Sequence, residues 1–285
     1  MKEKKPLQNL KDLEKKVDKL KARLQELGSV LVAFSGGLDS TFLLAVAREV
    51  LGKEKVLAVT AVSPIYPSRE HDSARRFAEK WDIRHIVIPS REMKDNTFVS
   101  NPPERCYYCK KGLMEQLFEI AHREGLAHVA HGANSDDMDD FRPGLRAADE
   151  MGAVAPLVEA GLRKDEIRFL SKQTGLPTWD NPSMSCLAAR IPYGEAITAE
   201  KLRMVEEAED FLLAKGFTQV RVRHHGSVAR IEVLEEEIKR FLKEDLRLEV
   251  IARLREIGFT HVALDLEGYI SGKMNRDLIT SSKRG

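Results

Sequence analysis

The stretch Val30-Leu31-Val32-Ala33-Phe34-Ser35-Gly36-Gly37-Leu38-Asp39-Ser40-Thr41 limits what this chain can fold into more than any other. Its first five residues are apolar and rich in branched side chains, which predicts a buried strand of a parallel sheet. A helical pattern resumes at Phe42 and runs to Leu51. Between them, glycine allows a sharp turn and a close approach of backbone N–H groups to a ligand. The following helix aims its free N–H groups and partial positive charge at the same spot. Such a turn holds an anion, phosphate above all. Neither a Walker A loop with its lysine nor the dinucleotide fingerprint G-x-G-x-x-G is present. Glycine and serine also suit an ordinary strand-to-helix turn, so the reading rests on the strand–loop–helix context.

At 285 residues, the chain has room for two domains of common size. A charged fraction of 32% and a hydrophobic fraction of 42% describe an ordinary globular protein. A net charge of +1 gives no basic surplus for a nucleic-acid groove. No apolar run approaches the roughly 20 residues of a membrane span, so no membrane partner is expected. Met1-Lys2-Glu3-Lys4-Lys5 opens a charged segment unlike a signal peptide. Three cysteines fit a reducing compartment better than a disulfide framework, and a cytoplasmic location is expected.

Leu10, Leu13, Val17, Leu20, Leu24 and Leu27 predict an amphipathic helix ending at Gly28, packed on the sheet or on a partner chain. It makes a homo-oligomer an expectation. Strands are predicted at Val56 to Val62, Ile86 to Ile88 and His128 to His131. Helices are predicted over Arg69 to Lys80 with a Ser68 cap, Glu104 to Arg123, and Arg163 to Thr174. The alternation implies a parallel α/β sheet with ligands at the strand C-terminal ends. Past the fourth strand, Asp136, Asp137, Asp139 and Asp140 could hold magnesium. They could equally form a solvated loop that caps the next helix.

The pattern changes near Pro192, which divides the chain into residues 1–192 and a smaller domain over 193–285. There Thr198 caps a helix to Lys215, and strands follow at Thr218 to Val222 and Val228 to Leu234. One helix over Glu235 to Ile257 and a strand at Val262 to Leu266 complete an αββαβ unit. His224 and His225 are read as turn residues. Arg221 and Arg223 alternate along a strand and so share a face, either solvated or turned to an anionic ligand.

Cys106 and Cys109 form a C-x-x-C within Asn101-Pro102-Pro103-Glu104-Arg105-Cys106-Tyr107-Tyr108-Cys109-Lys110. The spacing suits a redox pair, half of a zinc site or two small core residues. The third cysteine, Cys186, precedes Leu187-Ala188-Ala189-Arg190-Ile191-Pro192-Tyr193-Gly194. Three thiolates can hold a [4Fe–4S] cluster with one iron open, or a zinc ion with one of the eight histidines. Three unrelated buried cysteines are the plain alternative.

Ser35-Gly36-Gly37-Leu38-Asp39-Ser40 resembles the pyrophosphate loop of the PP-loop ATPases, which split ATP into AMP and pyrophosphate. The resemblance implies a Rossmann-like α/β fold of the adenine nucleotide alpha hydrolase type. It implies that Ser35, Gly36, Gly37 and Ser40 cradle pyrophosphate, that Asp39 helps to hold Mg2+, and that Gly132 lies near the phosphates. The cysteine segments, Gly132-Ala133-Asn134-Ser135-Asp136-Asp137, Asp140-Phe141-Arg142-Pro143-Gly144, Val220 to Gly226 and Leu264-Asp265-Leu266-Glu267-Gly268-Tyr269 follow in one order. Together they resemble the LarE family, the sulfur transferases of nickel-pincer cofactor synthesis, over nearly the whole chain.

That resemblance implies ATP-dependent adenylation of the carboxylates of pyridinium-3,5-biscarboxylic acid mononucleotide and their conversion to thiocarboxylates. In one branch of the family the cysteine matching Cys186 gives up its own sulfur. In the other, three cysteines hold a [4Fe–4S] cluster that carries sulfide from an outside donor. Cysteine at all three positions, Cys106, Cys109 and Cys186, implies the cluster branch. Arg221 and Arg223 would meet the substrate's anionic groups, and Lys110 and Arg190, beside the cysteines, would serve substrate or AMP. The rival readings are an NAD synthetase-like amidotransferase, which needs no cysteines, a tRNA thiolase, which needs a basic surface, and a non-catalytic nucleotide sensor.

Overall fold

Four short runs of apolar and β-branched residues become the parallel strands β1 (Val30–Ala33), β2 (Val56–Val62), β3 (Arg84–Pro89) and β4 (His128–His131). Their order in the sheet is β3-β2-β1-β4. The computed structural model describes residues 10–139, 142–181, 186–270 and 272–276. The sequence readings at Met1 to Lys5, at Asp140 and Phe141, and over residues 182–185 lie outside the described residues.

In chain order the helices are α1 (Leu10–Leu27), α2 (Leu38–Leu51), α3 (Ser68–Lys80), α4 (Asn96–Val99), α5 (Arg105–Arg123), α6 (Pro143–Glu150), α7 (Pro156–Glu159), α8 (Lys164–Gln173), α9 (Ala199–Ala214) and α10 (Glu244–Ile257). Three further strands, β5 (Val220–His225), β6 (Val228–Val233) and β7 (His261–Leu264), form a second sheet in that order. Of the described residues, 10–63, 68–92 and those from 106 to 181 form one compact unit. Residues 64–67, 93–105 and those from 186 onward form another.

In the first unit, strand alternation sends neighbouring side chains to opposite faces. Val30, Val32, Val56 and Ala58 enter one apolar cluster with Leu43 and Leu44 of α2. Leu31, Leu57, Val59 and Val129 enter another with Met114 and Leu117 of α5. Covering both faces of the sheet makes these strands apolar without a polar alternation. The stripe of α1 contributes Leu13, Leu20, Leu24 and Leu27 to the first cluster. Each fully buried leucine contributes about 2 kcal/mol through removal of apolar surface from water. Those four leucines are therefore covered within the chain, while Leu10, at the start of the same stripe, is 60% exposed.

In the second unit β5 and β6 are antiparallel, and β7 runs parallel to β6. Val222, Ile231 and Val233 pack on Leu212 of α9 and on Val250 and Leu254 of α10. Two expectations are corrected here. The span Glu235 to Ile257 is not one helix: a 3-10 segment, Glu235–Leu242, ends at Lys243 before α10 begins. His224 and His225 belong to β5 rather than to a turn, which falls at Gly226 and Ser227. The two-residue turn keeps Val228 opposite His225, so the ladder extends to the end of both strands.

Candidate active site

The chain order of the first sheet reverses between β1 and β4, and the ligand crevice of an open α/β sheet lies at such a point. Both strands end there in glycine-bearing loops. After β1, Gly36 adopts φ +73°, and a Cβ at this residue would stand 3.2 Å from the Cβ of Ala74. Gly37 is the extended residue that starts α2, with no side chain capping the helix. Gly37 thus brings no side-chain acceptor of its own to the first-turn N–H groups. Ser35 and Ser40 tie the turn together: their Oγ atoms stand 3.0 Å apart, and the Ser35 N–H points at Ser40 Oγ at 3.3 Å. The Gly37 N–H donates to Ser35 Oγ at 3.3 Å.

Gly132, past β4, has a sharper steric reason. A Cβ there would stand 2.8 Å from the Ser40 nitrogen and 3.1 Å from the Asp39 carbonyl carbon. The bare backbone of the β4 loop thus lies against the first turn of α2. The same loop brings Asn134 towards Asp39. Asp39 Oδ1 and Asn134 Nδ2 are both buried, and among the described residues neither atom meets the geometry of a hydrogen bond, although Asn134 lies close enough to favour the Asp39 carboxylate. Lys164 Nζ stands 3.8 Å from Asp39 Oδ2. Burial raises the Asp39 pKa above the usual carboxylate value, Lys164 opposes the rise, and Asp137 adds to it. A buried carboxylate oxygen at the start of α2, beside the glycine turn, suits a hard cation held with phosphate.

The acidic loop is divided in its roles. Asp136 Oδ2 accepts from the Lys164 N–H at 2.7 Å, and Asp136 Oδ1 lies 2.5 Å from Arg163 Nη2. Asp137 accepts from the Asn134 N–H at 3.0 Å and pairs with Arg142 at 2.7 Å. These two carboxylates anchor the loop. Lys164, the first residue of α8, and His131, the last of β4, were missed from sequence, and Asn134 entered only as part of the Gly132-to-Asp137 segment; nothing else marked them apart from other polar residues.

Cys106 and Cys109 sit one turn apart at the start of α5, the first exposed and the second half-buried, and neither is in a disulfide. Burial lowers the Lys110 pKa, with Cys109 opposing the shift. Burial also lowers that of His131, at the end of β4, to about 3, with Lys110 adding to the effect. Within either unit, no three His, Cys, Asp or Glu side chains among the described residues converge on one point. Cys186 belongs to the second unit. The cysteines at positions 106 and 109, outside any disulfide, suit two corners of a thiolate-held centre.

In the second unit, Arg190 stands at the end of a 3-10 turn, Leu187–Arg190, that begins directly after Cys186. It is 2% exposed. Its Nε and Nη2 donate to the two oxygens of Glu209 at 2.8 and 3.0 Å, and Nη1 donates to the Cys186 carbonyl at 3.0 Å. Glu209 also accepts from the Val222 N–H at 3.0 Å. Burial works against both charges, but the pairing outweighs it: the Arg190 pKa is raised and that of Glu209 lowered. Arg223 Nη2 donates to buried Glu232 at 2.8 Å, and Nη1 donates to the Ala189 carbonyl at 2.7 Å. Arg221 donates to the Val220 carbonyl at 2.7 Å and lies over the Tyr269 ring. Burial, then repulsion from Arg190, lowers its pKa to about 10.

Arg221 and Arg223 do share a face of β5, and that face is buried rather than solvated. Three buried guanidinium groups meet two buried carboxylates, Glu209 and Glu232, in this layer. Guanidinium forks in the layer beside Cys186 suit an anionic ligand. Glu209 could have been found from sequence, because it stands on the same helical stripe as Leu202, Val205 and Leu212, where a charge needs a partner.

The NAD synthase family model matches residues 11–111, which include the phosphate loop. Over 93% of its length the chain is 38% identical to the pyridinium-3,5-bisthiocarboxylic acid mononucleotide synthase of Lactiplantibacillus plantarum, covering 95% of that protein. It is similar to an uncharacterized protein of Synechocystis sp., at 43% identity over 93% of this chain and 99% of the other. An uncharacterized protein of Methanocaldococcus jannaschii is 30% identical over 90% of this chain and 98% of its own length.

Proposed function

Since the chain belongs to the family of the pyridinium-3,5-bisthiocarboxylic acid mononucleotide synthases, we propose that it is an ATP-dependent sulfur transferase acting on the carboxylates of a pyridinium mononucleotide. The observation that carries this reading is the phosphate cradle. It sits where the strand order of the parallel sheet reverses, with Asp39 Oδ1 buried and without a hydrogen-bond partner among the described residues. Ser35, Gly36, Gly37 and Ser40 hold the β and γ phosphates, and Gly132 closes the cradle with bare backbone. Asp39 holds Mg2+, which offsets phosphate charge. A substrate carboxylate oxygen attacks the α-phosphorus as the bond to pyrophosphate breaks. Sulfide then forms a bond to the acyl carbon, and AMP leaves with the bonding pair.

The arginine layer receives the substrate's phosphate or second carboxylate, with Arg221 in contact and Arg190 and Arg223 setting the field. Lys110 serves the same substrate or AMP. Cys106, Cys109 and Cys186 hold a [4Fe–4S] cluster, which when bound supplies the transferable sulfide. One observation favours a second reading, sacrificial donation by Cys186 alone: Cys186 lies beside the arginine layer, in a different unit from the α5 pair.

The test is anaerobic purification with iron and acid-labile sulfide analysis, followed by pyrophosphate release on adding the mononucleotide. About four irons per chain, lost together on Cys106→Ala, Cys109→Ala or Cys186→Ala, support the cluster. An iron-free protein that stops after one sulfur, its Cys186 lighter by that atom, supports the second reading. Pyrophosphate release that ignores the mononucleotide overturns both and revives the amidotransferase or the sensor.

A further inference from the structure

The turn after β7 is fixed from several sides. Lys273, 9% exposed, places its Nζ 2.6 Å from Asp265 Oδ2, 3.0 Å from Glu267 Oε2 and 3.4 Å from the Gly268 carbonyl. Arg230 Nε stands 3.7 Å from the same Asp265 oxygen, and Arg276 pairs with Glu267 at 2.8 Å. Within the turn, Asp265 Oδ1 accepts from the Glu267 N–H and the Asp265 carbonyl accepts from the Gly268 N–H, both at 3.0 Å. Gly268 has φ +66°, and a Cβ there would stand 2.7 Å from the Val233 carbonyl oxygen. Only glycine lets the turn lie this close to β6. The Tyr269 N–H then donates to that carbonyl at 2.7 Å.

This construction delivers one side chain. The Tyr269 ring presents its face to Arg221, whose Cζ stands 5.3 Å from the ring centroid. The tyrosine is half-buried, and its hydroxyl makes no hydrogen bond among the described residues. Its ring face is the contact it makes with Arg221.

We propose that Lys273 and Tyr269 are positioning residues for Arg221: the clamped turn sets the aromatic ring against the guanidinium and so fixes its plane toward an anionic group of the substrate. The proposal rests on the reading that the arginine layer takes the substrate's carboxylate or phosphate. A ring face attracts a guanidinium and is retained when it is buried beside one. Fixing the guanidinium before the ligand arrives lowers the ordering cost of binding. Tyr269 touches no reacting atom in this scheme.

The experiment uses the full chain and measures the KM for the mononucleotide, the KM for ATP and kcat in pyrophosphate release. Tyr269→Leu is expected to raise the mononucleotide KM about tenfold, with smaller effects on kcat and on the KM for ATP. Tyr269→Phe keeps the ring and is expected to restore the mononucleotide KM. Lys273→Met is expected to follow Tyr269→Leu in direction. An unchanged mononucleotide KM in Tyr269→Leu overturns the proposal. So does a Tyr269→Phe protein as impaired as Tyr269→Leu, because the hydroxyl rather than the ring would then act. So does an equal rise in both KM values, which marks a general structural loss.

If the wild-type protein ignores the mononucleotide, the functional reading falls, and the ring contact is judged instead by titration calorimetry with inorganic phosphate. Weaker phosphate binding in Tyr269→Leu, restored in Tyr269→Phe, supports the positioning role. Equal affinity in all three proteins, or no binding by any, overturns it.

Discussion

Single residues in this protein carry distinct physical demands, and each makes its own prediction. Gly132→Ala would push a methyl group to 2.8 Å from the Ser40 nitrogen, so the start of α2 must shift. A shift of this kind near reacting phosphates is expected to slow pyrophosphate release about 100-fold in a steady-state assay. His131 is buried neutral, with its pKa lowered from 6.5 to about 3. The unfolded chain takes up that proton first, so stability is full above about pH 6.5 and falls as the pH drops towards 3. The loss reaches about 2 kcal/mol at pH 5. Urea unfolding at pH 7 and pH 5 should show it, and His131→Gln should remove that part of the difference. Asp39 has the opposite sign for an acid. Its raised pKa means that ionisation costs stability above the unfolded value near 3.8. Asp39→Asn should therefore raise the melting temperature of the nucleotide-free protein at neutral pH while abolishing magnesium-dependent turnover.

Elements join these residues into sites, and here the periodicity of the sequence succeeds or fails for identifiable reasons. Val56 to Val62 is legible because a buried parallel strand is a nearly continuous apolar run, and His128 to His131 because Val129 and Ala130 lead into a glycine-bearing loop after a helical pattern. The cap of α9 is legible because Thr198 accepts from the Lys201 N–H at 3.2 Å, as its position before a helical pattern implies. The break at Lys243 was not legible: the apolar residues on either side keep a helical spacing, and only packing on the second sheet separates a 3-10 turn from α10. α9 also carries Glu209 to Arg190 and to the backbone of β5. Arg190→Met should destabilise the protein by about 3–5 kcal/mol in urea, because a buried carboxylate loses its partner. Arg190→Met combined with Glu209→Leu should recover most of that loss.

Across the whole molecule, the two units hold different parts of the proposed chemistry: the nucleotide cradle in one, Cys186 and the arginine layer in the other. Among the described residues no helix is long and apolar enough to cross a membrane. Mg-ATP at 100 times its dissociation constant should stabilise the protein by about 2.7 kcal/mol, read as a rise in melting temperature. Asp39→Ala should abolish most of that rise. What the linear chain determined by itself was local: an apolar strand, a glycine turn and a helix start need only neighbouring residues to be recognised. The candidate residues Ser35, Gly36, Gly37, Asp39 and Ser40 were therefore readable in one stretch. Only the tertiary structure decided that Gly132 lies against Ser40, that Glu209 and Glu232 face the arginines, and that Tyr269 lies over Arg221. Apart from Glu232 and Arg223, nine residues apart on one hairpin, those partners are separated by a helix or more of chain, and burial, which makes an unpaired charge costly, is a property of the fold rather than of any segment.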